Sequence, residues 1–151
     1  PAHRTILLGD GPEAGWMRKA MPDTVFAGFL HGDDLATGYA SSDIFFFPSI
    51  TETFGNVTLE AMASGLPAVN VDATGSRSLV LDGETGYLVA ERDEALLVER
   101  LAELVCDDTK RVRFGKRAHE IAVAEHDWNR IFEKLEADYL DAVAGYAPRP
   151  L

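Results

Sequence analysis

Ile44 to Val71, IFFFPSITETFGNVTLEAMASGLPAVNV, is the stretch that settles the architecture. Ile44 to Phe47 is apolar throughout, as expected of a strand covered on both faces of a parallel sheet. After a tight loop, Asn56 to Ser64 is small, apolar and helix-forming, which predicts a short, well-buried helix opening at Gly55 or Asn56. Gly65 and Pro67 end it, and Ala68 to Val71 reads as the next strand. A strand, a loop and a helix whose free N–H groups point back at the loop make a ready anion site.

Glu52 and Glu60 stand out in this stretch. Glu60 falls in the second turn of a helix that shows no polar face, and burying an unpaired glutamate costs on the order of several kcal/mol. It must therefore be ion-paired, hydrogen-bonded or turned toward a cleft. One reading has Glu60 capping a neighbouring loop with Glu52 solvated. The other has both carboxylates accepting hydrogen bonds from vicinal hydroxyls while Phe54, Gly55 and Asn56 present backbone N–H groups to phosphate. Sugars and riboses carry the groups that such an arrangement grips.

Working outward, the same alternation continues on both sides. Thr5 to Gly9 reads as a buried strand, Glu13 to Met21 as a short helix begun by Pro12, and Val25 to Phe29 as a second strand. The loop His31-Gly32-Asp33-Asp34, with an aspartate as N-cap, leads into a helix through Leu35, Tyr39 and Ala40. Beyond the central stretch come a Gly-containing loop at Ala73 to Ser76, a short turn or helix at Ser78 to Leu81, and a fifth strand at Tyr87 to Val89. From Asp93 the pattern is helical: a stripe of Leu97, Leu101, Leu104 and Val105, a second helix weakened at Gly115, and a third through Ile131, Leu135, Tyr139 and Val143. We divide the chain into a core over 1–90, C-terminal helices over 91–146 and a frayed tail over 147–151. The fold class is α/β, a doubly wound parallel sheet, which binds its ligand at the carboxyl ends of its strands.

Composition narrows the function. With 151 residues and 46% hydrophobic content the chain can bury one sizeable core, and nothing in it reads as a membrane span or a secretory leader, so we expect a soluble protein. Twenty-five acidic residues against 14 basic ones give a net charge of −11, which argues against nucleic acid or an anionic membrane as partner. Cys106, the single cysteine, reads as a small core side chain on a helix. His3, His31, His119 and His126 show no metal-binding spacing, and no metal is expected. Gly9-Asp10-Gly11 followed by Gly15 departs from the dinucleotide-binding glycine pattern and reads first as a tight turn. His31, on the same rim as Glu52, is equally open to a loop-structural role and a ligand contact. No G-x-S-x-G elbow supports a serine hydrolase.

In order and spacing, a strand followed by P-S-x-x-E-x-F-G and then x-x-x-E-A-M-A-S-G-x-P resembles the donor-binding domain of retaining GT-B glycosyltransferases of family 4, the group 1 glycosyltransferases. Glu52 and Glu60 match the E-x7-E signature of that family. Gly9-Asp10-Gly11-Pro12, Phe26-Ala27-Gly28-Phe29, Tyr39 to Asp43, Asp82 to Val89 and the helix at Trp128 are similar to it in the same order. The resemblance implies a Rossmann-like sheet and a donor site in which Glu52 holds the hydroxyls of the transferred sugar and acts as the catalytic residue. Glu60 would hold the donor ribose, Phe54, Gly55 and Asn56 would offer backbone groups to sugar and phosphate, Leu30 would contact the base, and Val57 and His31 would also belong to the donor-binding site. Gly9 would let the chain pass close to the nucleotide. The implied substrate is a nucleotide-diphosphate sugar, GDP- or UDP-linked, giving up a mannose- or glucose-type hexose without a cofactor or bound metal, in the cytoplasm or peripherally at the inner membrane face. Ser78 departs from the acid that many relatives carry after the Gly loop.

By the same resemblance the family's donor domain begins one strand earlier and follows an acceptor-binding domain. Since Pro1 lies only a few residues before a strand, the chain reads as a cut piece, inactive alone. In the doubly wound order 3-2-1-4-5-6 the absent strand is the central one. Thr5 to Gly9 is then expected to pair directly with Ile44 to Phe47, or a second copy fills the gap in a homodimer. Two other functions stay open at this stage: a non-catalytic nucleotide-binding module, and an epimerase acting on the nucleotide sugar itself.

Overall fold

A computed structural model describes residues 3–146, and the expected tail over 147–151 lies outside them. Five strands and seven helices alternate as far as the fifth strand: β1 (Ile6–Leu8), α1 (Ala14–Ala20), β2 (Val25–Gly28), α2 (Gly32–Ala40), β3 (Phe45–Phe47), α3 (Asn56–Ala63), β4 (Ala68–Val71), α4 (Thr74–Leu79) and β5 (Gly86–Val89). Three helices follow: α5 (Glu94–Cys106), α6 (Asp108–His126) and α7 (Trp128–Ala144). Every strand pairing is parallel. The α/β class and the element order are those expected from the sequence.

The strands form two sheets, β1-β2 and β3-β4-β5. Direct pairing of β1 with β3 is therefore corrected: the edge of each that faces away from its own partner carries no strand among the described residues. Helix α2 spans the two units. The position of a Cβ on Gly38 lies 3.1 Å from the Leu8 side chain of β1, while Tyr39 and Leu35 pack with Phe45 of β3. Strand β3 is not covered on both faces as expected, since Phe46 is 44% exposed.

The three-stranded sheet carries the core. Side chains alternate along β4, so Val69 and Val71 face Leu97, Leu104 and Phe114, and Asn70 points the other way to donate from Nδ2 to Thr58 Oγ1 of α3 at 3.0 Å. Helices thus lie on both faces, as double winding requires. Full burial of side chains such as Leu104 and Phe114 contributes about 1.5–3 kcal/mol each. A second cluster joins Met62 and Leu79 to Ala118, Ile121 and Ala122 of α6.

Helix α6 runs unbroken through Gly115, contrary to the expected weak point. A Cβ there would lie 2.1 Å from the Gly65 carbonyl oxygen, so glycine is what lets α6 touch the turn after α3. Cys106 is exposed at the end of α5, not in the core. Helix α2 is capped by His31 in extended conformation, not by an aspartate; Asp33 and Asp34 fall in its first turn, where they complement the helix dipole. Helix α4 opens within the expected loop, at Thr74. Helix α7 buries no residue. None of the helices described is long and apolar enough to cross a membrane.

Candidate functional site

The loop between β3 and α3 is built around Glu52. Its Oε1 accepts the Gly55 N–H at 3.1 Å, and its carbonyl oxygen accepts the Gly75 N–H at 3.0 Å. Gly55 sits at φ 98°, in the left-handed region, and serves as N-cap of α3 without any side-chain cap. A Cβ on Gly75 would lie 2.8 Å from Glu52 Cγ and 2.8 Å from the Phe54 carbonyl carbon, so the loops after β3 and β4 are in backbone contact. In this structure the Gly55 N–H, expected to face phosphate, donates to Glu52. Asn56 and Val57 open α3, and among the described residues their N–H groups meet no protein acceptor.

Glu60 is exposed and hydrogen-bonded, two of the ways the sequence left open for it to avoid unpaired burial; the absence of a polar face on its helix is what is corrected. Thr58, Ala61 and Met62 form the buried face of α3, and Asn56 and Glu60 lie on an open one, so the helix does have a polar face. The Tyr39 hydroxyl at the end of α2 donates to Glu60 Oε2 at 3.1 Å. Burial, with the Glu60 charge beside it, pushes the Tyr39 phenol well above its ordinary value, so it stays protonated. No cation among the described residues lies within ion-pair range of Glu52 or Glu60.

The other expected positions fall on the same strand ends. Gly9, at φ 127°, donates its N–H to the Gly28 carbonyl at 2.7 Å, and a Cβ there would meet open space. Leu30 is half-buried, 3.6 Å from a Cβ built on Gly38, and His31 is exposed at the start of α2. Phe54 is 46% exposed and meets His126 edge-on, ring centroids 6.1 Å apart. Tyr39, Gly75 and His126 were not picked out from the sequence as parts of this site. Ser78, in place of an acid, donates to the Gly75 carbonyl at 2.8 Å.

Cationic charge on this rim is sparse. Arg77 is paired with Asp72 at 2.8 Å, its hydrogen bond holding that carboxyl below the usual range, and the Arg18 guanidinium covers the Phe26 ring. No group of three or more His, Cys, Asp or Glu side chains among the described residues is placed to hold a metal ion. Two surface hollows of about 430 Å³ lie elsewhere, one along α7 and one between Gly83 and α6.

Residues 2–107 match the family model described as "Glycosyl transferases group 1". The chain is 36% identical over 139 residues to a GDP-mannose-dependent alpha-mannosyltransferase of Corynebacterium glutamicum, covering 92% of this chain and 33% of that protein. It is 38% identical over 148 residues to the sulfoquinovosyl transferase SQD2 of Arabidopsis thaliana, covering 94% and 29%. The chain therefore spans about a third of the length of the curated relatives it matches. Among solved structures, Anabaena HepE in complex with UDP superimposes with a TM-score of 0.80 at 26% identity, over 94% of this chain and 42% of that one.

Proposed function

Because the chain belongs to the group 1 glycosyl transferases, we propose that it is the donor-binding part of a retaining enzyme that moves a hexose from a nucleotide-diphosphate sugar to an acceptor. The observation that carries this reading is the pair of carboxylates on the open rim. Glu52 has Oε1 tied to Gly55 and Oε2 without a protein partner among the described residues, and Glu60 is exposed on the next helix. In the proposed roles Glu52 accepts hydrogen bonds from the transferred sugar and Glu60 from the donor ribose. Gly9, Leu30 and His31 line the nucleotide side, and Phe54 lies against the sugar.

As the glycosidic bond to the diphosphate breaks, negative charge grows on the leaving oxygens. The Asn56 and Val57 N–H groups at the positive end of α3 face that charge without reorganising. Side-chain cations for the diphosphate are scarce on this rim, so in this reading the remainder of the full-length protein supplies them, and residues 1–151 alone do not transfer sugar. Mannose from GDP-mannose is the donor favoured by the similarity to several GDP-mannose-dependent alpha-mannosyltransferases. UDP-glucose is the second reading, favoured by the Anabaena HepE complex with that donor.

The test is turnover of the full-length protein with each donor. Glu52→Ala and Glu60→Ala each remove a charge-assisted hydrogen bond and should lower kcat/KM about 10- to 100-fold, with activity undiminished by a chelator. Near wild-type rates in both variants would sink the assignment. Product formed without any acceptor would replace transfer by epimerisation.

A further inference from the structure

Tyr39 combines a fixed ring with a single polar atom aimed at the rim. The residue is 7% exposed and packs with Ala61 and Leu66. Its ring lies 6.2 Å from that of Phe45, which in turn stacks on Phe47 at 5.7 Å. From this apolar setting the hydroxyl reaches Glu60 Oε2 at 3.1 Å. An exposed glutamate otherwise samples many rotamers, and ordering a long charged side chain costs rotamer entropy. A donor anchored on a packed ring bears that ordering before any ligand arrives.

We propose that Tyr39 is a positioning residue for the donor: its buried hydroxyl holds Oε2 of Glu60 and leaves Oε1 turned to the ribose hydroxyls of a nucleoside diphosphate. The proposal rests on the reading of Glu60 as the ribose carboxylate. It makes Tyr39 act through Glu60 alone, with no contact to the ligand. The phenol stays a donor throughout the working pH range, since proton loss would set a second negative charge against the carboxylate.

The experiment is calorimetric binding of GDP and UDP, and of their 2′-deoxy counterparts, to the full-length protein, with a melting curve for each variant. Tyr39→Phe keeps the ring, so melting should stay within a few degrees, and affinity for the better-bound nucleotide should fall about tenfold. That loss should shrink to less than about twofold for the 2′-deoxy counterpart and in a Glu60→Ala background, as coupling through one carboxylate requires. A lowered melting point with unchanged affinity, or the same loss with and without the 2′ hydroxyl, overturns the positioning role while leaving Glu60 in place. If Glu60→Ala itself binds as wild type does, or neither nucleotide binds the wild-type protein, the ribose reading fails and the proposal with it.

Discussion

Glu103 shows how a single residue ties the C-terminal helices together and makes their stability depend on pH. Its carboxylate receives the Lys110 ammonium and, at 3.0 Å, the Arg100 guanidinium, with the side chain 28% exposed. Lys110 first, then the Tyr87 hydroxyl and Arg100, hold the carboxyl at about 2, against 4.5 for a free side chain. The folded protein therefore gives up this proton more readily than the unfolded chain does. The stabilisation is complete above the unfolded value and drains away as the pH falls through 4.5 toward 2. Glu103→Gln should cost about 1–2 kcal/mol at neutral pH, measured by urea unfolding, and its gap to wild type should narrow by roughly half or more at about pH 3. An equal gap at both pH values contradicts the assignment. Glu60 was conspicuous in the sequence because an acid inside a small apolar helix stands out. The exposure of Glu60 was not legible there, since it depends on which face of α3 its neighbours cover. Tyr39 stayed hidden for a related reason: an aromatic at helical spacing reads as core, and only the tertiary fold sets its hydroxyl beside Glu60.

At the scale of elements, α3 and α6 meet through backbone as well as side chains. In Gly115→Ala the new methyl would sit 2.1 Å from the Gly65 oxygen and 3.3 Å from Pro67 Cδ, neither of which is the end of a flexible side chain. Alanine favours helix over glycine by about 1 kcal/mol, but forcing two backbones apart costs about 1–3 kcal/mol and shifts Leu66 and Met62 with it. We expect net destabilisation in urea unfolding; unchanged or increased stability would show that the contact is slack. The order of strands and helices was legible because apolar runs and 3.6-residue stripes survive at this length. The meaning of Gly115 was not, because a helix-weakening residue and a close-approach residue look alike until the partner chain segment is in place. The cap of α2 at His31 escaped for the same reason, two aspartates close behind offering a better local cap than the one used.

At the scale of the molecule, burial is uneven. The fully buried large side chains lie between Thr58 and Phe114, whereas α1 and α7 bury none. Along α7, Trp128, Phe132, Tyr139 and Val143 are each more than half exposed, and β1 and β3 each have an edge that no strand among the described residues pairs. Unpaired parallel edges and an apolar helical face favour association. The 151-residue chain should therefore form dimers at micromolar concentration in sedimentation equilibrium, and a monomer throughout that range would rule the homodimer out. The sequence left open whether β1 would close on β3, because pairing is a property of two edges and of the helix that holds them apart. Helix α6 has one more consequence, a mechanical one. From Gly115, whose backbone lies against Gly65, the arm to His126 is about 16 Å long at the α-helical rise. A tilt of about 5° would swing the imidazole by about 1.4 Å against the Phe54 ring. Since α7 leaves α6 one residue beyond that imidazole, a pull on α7 has leverage on the loop that carries Glu52.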